Sequence, residues 1–309
     1  MDTLSVENLK GTWCTLLLPI QADNRIDFGS LENQLDILCD AEISGVYSNG
    51  TAGEFFNQTE SEFDRISLML AEKCIKAKIP FQIGASHTSP LISLERIRRS
   101  AALKPGAFQV ILPDWIAANQ QEQLTFLEGM AAEAAPVPMV LYHVGHAKTV
   151  LKPADFHRLA LAIPALIGIK VGAGGPEWYS EMRQIHPDLS VFVPGHRLAT
   201  GVREGVAAGA YSNMACINPQ AAHRWYQQMQ TDLAGALELE SRIARFFEQC
   251  IFPFHFSGYS DMALDKFLAV VGGMVPAGTR VRWPYQSIDP KEVAGVQKIG
   301  RDLIPEFFR

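Results

Sequence analysis

Cysteine is scarce in this 309-residue sequence, which has five cysteines and lacks a Cys-x-x-Cys pair. The missing pair argues against a zinc site of the usual cysteine spacing and against a thioredoxin-type redox motif. The cysteines are scattered and mostly flanked by apolar residues: Cys14, Cys39, Cys74, Cys216 and Cys250. We therefore expect buried free thiols in a protein of a reducing compartment.

Basic charge and long apolar runs are also scarce. Asp and Glu number 33 against 27 Lys and Arg, a net charge of −6, so the basic excess of a nucleic-acid-binding protein is lacking. A local site can still bind an anionic small molecule. The longest early apolar run, residues 12–20, is too short to span a membrane, and Asp2 and Glu7 precede its first basic neighbour, Lys10. We interpret this run as the first β-strand of a cytoplasmic protein, with neither nucleic acid nor membrane as a partner.

What the sequence does contain is a regular alternation of short apolar segments and longer segments with apolar residues at i, i+3 and i+4. The strand-like segments are Trp13–Pro19, Gly45–Ser48, Pro80–Gly84, Phe108–Leu112, Met139–His143, Leu166–Val171, Val191–Pro194 and Ala210–Met214. The helical segments are Ser30–Ala41, Glu60–Lys78, Leu91–Lys104, Gln120–Ala135, Pro153–Ala162 and Glu177–His186. Eight strands alternating with helices predict an α/β fold, a (β/α)8 TIM barrel.

The pattern changes near His223, where helical periodicity becomes continuous. The helical segments of this part are Ala234–Cys250, Tyr259–Val271 and Pro290–Leu303. We therefore predict a barrel over residues 1–222 and a C-terminal helical extension, residues 223–309, packed on the barrel. An α/β barrel of this length is common as one domain.

Catalytic residues of such barrels lie at the C-terminal ends of the strands, where we predict Lys170 and Tyr142 on neighbouring strands. Lys170 interrupts an apolar strand, and burial would lower its pKa and give the neutral amine that attacks a carbonyl. The alternative is a strand-end lysine that extends to solvent. Tyr142 would lie about 4.8 Å away, one strand spacing, with a phenol suited to proton transfer. Its alternative is an interior aromatic residue whose hydroxyl bonds a carbonyl.

A glycine-bracketed turn, Gly50-Thr51-Ala52-Gly53-Glu54, follows the second predicted strand. Glycines permit unusual backbone angles, so successive N–H groups can converge on an anion such as the carboxylate of a keto acid. A plain βα turn capped by Thr51 explains the pattern equally well.

Two further patterns are weaker. His143 and His146 have an HxxH spacing but no clustered carboxylate, so we expect no metal site there. Gly172-Ala173-Gly174-Gly175-Pro176 could hold a phosphate, but a loop into a helix that starts at Pro176 is the simpler interpretation.

Taken in order, these residues resemble the dihydrodipicolinate synthase / N-acetylneuraminate lyase family of class I aldolases over nearly the whole chain. The matching pieces are Leu17-Leu18-Pro19 with Ile26-Asp27, Gly50-Thr51-Ala52-Gly53-Glu54-Phe55, Tyr142, Gly168-Ile169-Lys170 and Arg282-Trp283-Pro284. The ordered set is more specific than any one piece. It favours the catalytic interpretation of Lys170 over the structural one.

The resemblance implies a homotetrameric barrel in which Lys170 forms an imine with pyruvate or a related 2-keto acid. It further implies Tyr142 as the general acid/base and Thr51 as a third catalytic side chain, with the Thr51–Ala52 turn holding the substrate carboxylate. Neither a cofactor nor a metal is expected.

The sequence also departs from the family pattern. Ala52 replaces a hydroxyl residue, and Trp115 follows the fourth strand where the synthases have a proton-relaying tyrosine, a role indole cannot fill. The arginine that those synthases carry after the fifth-strand tyrosine is absent from residues 144–148. Arg197 follows the seventh strand in place of an acidic residue. We predict that Trp115, His143, His146 and Arg197 contribute to the substrate pocket, the alternative for the histidines and Arg197 being contacts between loops.

We therefore expect a lyase that cleaves a 2-keto-3-deoxy sugar acid, or a similar 2-keto acid, to pyruvate and an aldehyde. A dehydratase of a keto-deoxy sugar acid is the nearest alternative. A 4-hydroxy-tetrahydrodipicolinate synthase ranks third, because of Trp115 and the missing arginine. A keto-acid-binding regulator without catalysis is a fourth, although pure binding requires neither Tyr142 nor Lys170.

Overall fold

The computed structural model describes residues 3–172, 174–184, 188–273 and 278–308. Within these ranges the strands form a closed parallel barrel in which each strand pairs with the next and the last pairs with the first. The strands are β1 (Gly11–Thr15), β2 (Gly45–Ser48), β3 (Phe81–Gly84), β4 (Ala107–Val110), β5 (Met139–Tyr142), β6 (Leu166–Lys170), β7 (Ser190–Phe192) and β8 (Ala207–Tyr211). The predicted (β/α)8 TIM barrel is confirmed.

Helices follow each strand, and a further group of helices follows β8. The helices are α1 (Phe28–Asp40), α2 (Glu60–Ala77), α3 (Pro90–Ser100), α4 (Gln120–Ala134), α5 (Pro153–Ala162), α6 (Pro176–Met182), α7 (Leu198–Arg203), α8 (Met214–Ile217), α9 (Pro219–Thr231), α10 (Leu233–Cys250), α11 (Phe252–Phe256), α12 (Asp261–Gly272) and α13 (Val293–Leu303). Polar N-cap side chains fix where several begin, since Asp27, Thr59 and Asn119 each accept a hydrogen bond from a first-turn N–H. Among the helices of the described ranges, none combines the length and apolar character needed to cross a membrane.

Several predicted strand boundaries are wrong, and β1 shows why. It ends at Thr15 and not at Pro19, although the apolar run continues. The Leu17 N–H and carbonyl bond the Gln34 side chain at 2.7 and 2.9 Å instead of a neighbouring strand. Burial against α1 therefore explains the apolar run beyond the strand.

The last strands are also displaced. β8 covers Ala207–Tyr211, not Ala210–Met214, because its first residues are small and carry little apolar signal. β7 covers Ser190–Phe192, not Val191–Pro194, and a proline cannot donate to the strand ladder.

Helix ends differ by a few residues for identifiable reasons. The predicted helix Leu91–Lys104 ends at Ser100 and continues as a 3₁₀ turn. The predicted helix Glu177–His186 runs from Pro176 to Met182, and its predicted end at His186 lies outside the described residues. The C-terminal helices are present, but α12 begins at Asp261 after the N-cap residue Ser260.

The predicted division between barrel and extension, after residue 222, falls inside α9, which spans Pro219–Thr231. This helix belongs to the barrel as much as to the extension, because Ala222 accepts a hydrogen bond from Thr12 of β1. The division therefore stays a prediction.

The barrel interior is a packed core and not a pore. Four large aromatic residues that are each at most 6% exposed, Trp13, Tyr47, Phe192 and Tyr211, meet inside it. The Tyr211 ring lies 4.8 Å from the Tyr47 ring and 4.6 Å from the Phe192 ring, centroid to centroid, a range favourable for aromatic pairs. This aromatic layer closes the barrel and forms the floor of the space above it.

A buried ion pair ties the C-terminal extension to the turn after β2. Lys266 of α12 and Glu54 are 0% and 1% exposed and form an ion pair at 2.5 Å. The Arg282 backbone N–H donates to the second carboxylate oxygen of Glu54 at 3.0 Å, and the Arg282 side chain pairs with Glu62 at 2.7 Å. Two separated motifs of the sequence, around Glu54 and Arg282, are thus one cluster in the structure.

Candidate active site

Lys170 and Tyr142 lie side by side at the C-terminal ends of β6 and β5. They are partners in the strand register, and the Lys170 amine lies 3.9 Å from the centroid of the Tyr142 ring. The amine also donates a hydrogen bond to the Tyr47 hydroxyl at 3.1 Å. The lysine therefore faces the barrel mouth beside two phenols and does not extend away from the barrel into solvent.

Tyr142 connects this pair to the turn after β2. Its hydroxyl and the Thr51 hydroxyl lie 2.8 Å apart, within hydrogen-bond distance. The phenol is therefore held by a hydrogen bond to the turn.

The turn itself has an unusual backbone. Asn49 and Glu54 both have positive φ angles, 55° and 51°, a conformation in which asparagine is several-fold enriched. Hydrogen bonds from the Glu54 N–H to the Thr51 carbonyl (2.9 Å) and from the Phe55 N–H to the Gly50 carbonyl (3.4 Å) close the turn. The N–H groups of Thr51 and Ala52 take no part in these closing bonds.

The surroundings shift the pKa values of the site. Burial lowers the pKa of Lys170 to about 8, although the negative charges of Asp265 and Asp261 act in the opposite direction. Burial raises the pKa of the Tyr142 phenol, and the hydrogen bond from Thr51 offsets part of that rise. At neutral pH the phenol is protonated, and about a tenth of the lysine is the neutral, nucleophilic amine, far more than for a lysine with an ordinary pKa.

A cavity of about 400 Å³ opens above Lys170, a size typical of small-molecule sites. Thr51, Ala52, Tyr142 and Lys170 all line it, so the structure brings the predicted central residues together. Among the described residues that line this cavity, Lys170 is the one Lys or Arg side chain.

Sequence reasoning missed the wall that α12 contributes. Asp261, Leu264, Asp265 and Leu268 line the cavity from this helix, and we call them the α12 wall. Burial raises the pKa of Asp265 to about 7, and the charge of Asp261 adds to the rise. The available signal was a pair of aspartates one helical turn apart in an otherwise largely apolar helix, a pattern that a solvated helix surface also produces.

Tyr47 and His196 were missed as well. Tyr47 is 2% exposed and reads as an ordinary core residue of an apolar strand. His196 lines the cavity, stacks on Phe247 at a centroid distance of 4.6 Å and bonds the Asn213 side chain at 2.9 Å. Burial lowers the pKa of His196 to about 4, so it is neutral at physiological pH.

The four residues predicted for the outer pocket separate in the structure. His146 lies at the cavity mouth, whereas His143 lines a smaller neighbouring pocket and accepts a hydrogen bond from the Leu151 N–H at 3.3 Å. Trp115 is 84% exposed, and Arg197 is also exposed. Neither of these two residues belongs to the cavity lining.

The two weaker sequence patterns take structural roles or remain open. Helix α6 begins at Pro176 as predicted, while Ala173 of the glycine-rich stretch lies outside the described residues. Across the described ranges, no group of three or more His, Cys, Asp or Glu side chains is placed to hold a metal ion.

Comparison with known proteins gives a consistent result. Residues 8–301 match the dihydrodipicolinate synthetase family. A 4-hydroxy-tetrahydrodipicolinate synthase of Thermomicrobium roseum is 26% identical over 76% of this chain and 78% of its own length. An N-acetylneuraminate lyase of Escherichia coli is 22% identical over 97% of this chain and 98% of its own.

Solved structures share the fold. The chain superposes with a TM-score of 0.83 and 21% identity on YagE, a prophage protein of the dihydrodipicolinic acid synthase family from Escherichia coli K12 in complex with pyruvate. The match covers 96% of this chain and 98% of that chain. CdNal from Clostridium difficile, in complex with mannosamine, gives a TM-score of 0.81 and 18% identity over 96% and 99% of the two chains.

Proposed function

Because the chain belongs to the dihydrodipicolinate synthetase family and is an enzyme of the lyase type, we propose that it is a Schiff-base-forming aldolase. Its substrate would be a 2-keto-3-deoxy sugar acid or a similar 2-keto acid, cleaved to pyruvate and an aldehyde. The observation that carries the proposal is the Lys170 amine, which lies 3.1 Å from the Tyr47 hydroxyl and 3.9 Å from the Tyr142 ring centroid. An amine with a lowered pKa at the floor of a cavity is suited to attack a carbonyl.

The reaction would begin when the neutral Lys170 amine adds to the C2 carbonyl carbon. The resulting carbinolamine loses its hydroxyl group as water, and the Tyr142 phenol supplies the proton for that departure. A protonated imine remains, and its nitrogen can accept an electron pair.

Cleavage would follow at the C3–C4 bond. The electron pair of that bond moves into the imine and forms an enamine, while the C4 hydroxyl loses its proton and becomes the aldehyde carbonyl. The Tyr142 phenolate left by the loss of water takes up this proton, and the Thr51 hydroxyl 2.8 Å away can donate a hydrogen bond to that phenolate. The enamine then takes a proton at C3, and water hydrolyses the imine to release pyruvate and free Lys170.

The substrate carboxylate would bind at the turn after β2. The Thr51 hydroxyl and the N–H groups of Thr51 and Ala52 are the proposed donors, since those N–H groups take no part in closing the turn. Ala52 brings no hydroxyl, so the backbone would carry more of this interaction. Charge-assisted hydrogen bonds to a carboxylate are about twice as strong as neutral ones.

Borohydride reduction in the presence of pyruvate tests the proposal. We expect intact mass spectrometry to show one covalent adduct on the wild type and none on Lys170→Ala. Lys298→Ala, which removes an exposed lysine of α13, is the matched control and should form the adduct normally. The absence of an adduct with pyruvate and with every other short 2-keto acid would contradict the imine.

Product analysis then separates the alternatives. An aldolase releases pyruvate and an aldehyde, whereas a dehydratase removes water and leaves the carbon chain intact. Condensation of pyruvate with an amino-acid-derived aldehyde would indicate a 4-hydroxy-tetrahydrodipicolinate synthase. Trapping of pyruvate with no turnover of any substrate would indicate a keto-acid-binding regulator.

The proposal includes a homotetramer in the cytoplasm. The cysteines are free thiols, and Cys14, Cys74, Cys216 and Cys250 are buried, which supports a reducing compartment. Trp115, Ile116 and Val150 are 84%, 76% and 72% exposed, and such apolar exposure favours contact between copies. Light scattering on the purified protein measures the assembly directly.

A further inference from the structure

The α12 wall places two carboxylates in the cavity. Asp261 and Asp265 are four positions apart on α12, so they lie on the same face of the helix. Asp265 is partly buried and Asp261 lies exposed at the rim, and both line the cavity together with Lys170. Their negative charges act to raise the pKa of Lys170 against the effect of burial, so they lie close enough to influence the amine.

Within the described residues neither carboxylate has a direct partner, although the charge of Lys170 acts to lower the pKa of Asp265. Throughout the described ranges, the side chains of Asp261 and Asp265 take part in no hydrogen bond or ion pair. A partly buried carboxylate without a partner costs free energy. Burial and the charge of Asp261 accordingly raise the pKa of Asp265 to about 7. Perturbed and unpartnered groups of this kind concentrate where a ligand supplies the missing contacts.

Among the described lining residues, the basic side chains besides Lys170 are the imidazoles of His146, His196 and His255. Lys170 is the one Lys or Arg among the described lining residues, and under the proposed function its charge becomes that of the protonated imine at C2, away from the distal end of the substrate. Arg197 is exposed and does not line the cavity. His196 is neutral, because burial lowers its pKa to about 4. A second carboxylate on the substrate would therefore meet like charge with no guanidinium to receive it.

We propose that Asp265, assisted by Asp261, recognises hydroxyl groups on the distal part of the substrate and disfavours a distal carboxylate. An ionised carboxylate can accept hydrogen bonds but cannot donate one, and a hydroxyl group can donate a hydrogen bond to it. The substrate class is then a 2-keto-3-deoxy aldonic acid, with one carboxylate, and not an aldaric acid, with two. This inference rests on the proposed imine chemistry and adds the identity of the far end of the substrate.

The test compares two probes of the same configuration, a 2-keto-3-deoxyhexonate and the corresponding 2-keto-3-deoxyhexarate. Borohydride trapping, with all lysine adducts counted, is measured for the wild type, Asp265→Asn, Asp261→Asn and the double variant. We expect the wild type to trap the hexonate faster by roughly tenfold or more, since like-charge contacts are strongly unfavourable. In the double variant the ratio of hexonate to hexarate trapping rates should fall toward one, mainly because the hexarate is trapped faster.

Glu128→Gln is the matched control, because it removes an exposed carboxylate of α4 that does not line the cavity. The ratio of hexonate to hexarate trapping rates in this variant should equal that of the wild type. Trapping of pyruvate, which has no distal part, separates the two proposals. If pyruvate is trapped but the wild type prefers the hexarate, traps neither acid, or keeps its ratio in the double variant, the inference fails and the imine stands. If pyruvate is not trapped, the proposed function itself fails.

Discussion

The two sides of the cavity are built in different ways. One side is the strand-end group, Tyr47, Tyr142 and Lys170, whose positions are set by strands of the closed barrel. The other is the α12 wall, carried by a helix that follows the barrel in the chain. Hydrogen bonds and ring contacts join the members of the strand-end group to one another, whereas the two aspartates line the cavity and have no hydrogen-bond or ion-pair partner in the described part of the chain. The difference suggests that chemistry belongs to the strands and substrate choice to the helix.

The strand-end group gains its precision from sheet register. Tyr142 and Lys170 are paired residues of adjacent strands, so the sheet holds their side chains close together on the same face. The α12 wall depends on how the helix docks. The ion pair between Lys266 and Glu54 supplies that constraint.

The largest expected effect comes from the strand-end group. Tyr142→Phe keeps the ring but removes the hydroxyl that lies 2.8 Å from Thr51. If the phenol is the general acid/base, kcat should fall roughly 10²–10⁴-fold. Steady-state kinetics on the sugar acid provides the measurement. Tyr226→Phe is the control, because the Tyr226 hydroxyl donates to the Ala208 carbonyl and does not line the cavity. Equal losses of kcat in the two variants would contradict the role of Tyr142 as general acid/base.

The next effect concerns the docking of the α12 wall. Lys266→Met leaves the Glu54 carboxylate buried without its cation, and breaking a buried pair in this way costs about 3–5 kcal/mol of unfolding free energy. Denaturant unfolding of Lys266→Met, Glu54→Gln and the double variant measures the coupling between the two residues. The exposed pair of Lys291 and Asp289, 73% and 53% exposed, is the control, and Asp289→Asn should cost about 1 kcal/mol or less. Similar costs at both pairs would show that burial does not matter here.

A smaller effect is expected at Thr51. Thr51→Val keeps the branched shape and removes the hydroxyl, so the hydrogen bond to Tyr142 and the proposed one to the substrate carboxylate are both lost. A loss of about tenfold to a hundredfold in kcat/KM is expected, since a hydrogen bond to a charged group contributes about 1.5–3 kcal/mol. A fall in kcat as large as that of Tyr142→Phe would instead assign Thr51 a direct part in proton transfer.

The smallest expected effect is a shift in the pH midpoint of pyruvate trapping, through which the charge of the α12 wall acts on Lys170. Because the pKa of Lys170 is lowered to about 8, the rate of pyruvate trapping should rise about tenfold per pH unit below that value and level off above it. Asp265 acts to raise the pKa of Lys170, so Asp265→Asn should move the midpoint to lower pH. If the midpoint stays in place or moves upward, Asp265 does not raise the pKa of Lys170. Glu128→Gln should leave it unchanged.

The barrel and the pair of Tyr142 and Lys170 could be predicted, because both follow from the pattern of apolar and polar residues within short segments of the sequence. An apolar strand that ends in lysine, next to one that ends in tyrosine, needs only parallel register to bring the two side chains together. The turn after β2 was predicted from its glycines, which mark the place where the backbone leaves ordinary angles.

The remaining site residues could not be predicted, because they depend on long-range packing. Which face of α12 meets the cavity is decided by contacts between residues more than 200 positions apart, such as Lys266 and Glu54. Trp115 and Arg197 were placed in the pocket from their positions after strands. The loop after β4 exposes Trp115, and the 3₁₀ turn that leads into α7 exposes Arg197.

Asp265 and Lys266 are neighbours in the sequence, and this limits how α12 can be shifted or transferred to another protein. Neighbouring residues of a helix are separated by about 100° of rotation, so α12 presents an acid to the cavity only while the next side chain reaches Glu54. Deleting one residue between α11 and α12 would have to rotate the helix or stretch the connection, and either change misplaces one of the two groups. A graft of α12 onto another barrel must therefore carry Glu54 with it. The loop between α11 and α12 is accordingly a place where changes in length are expected to be tolerated poorly.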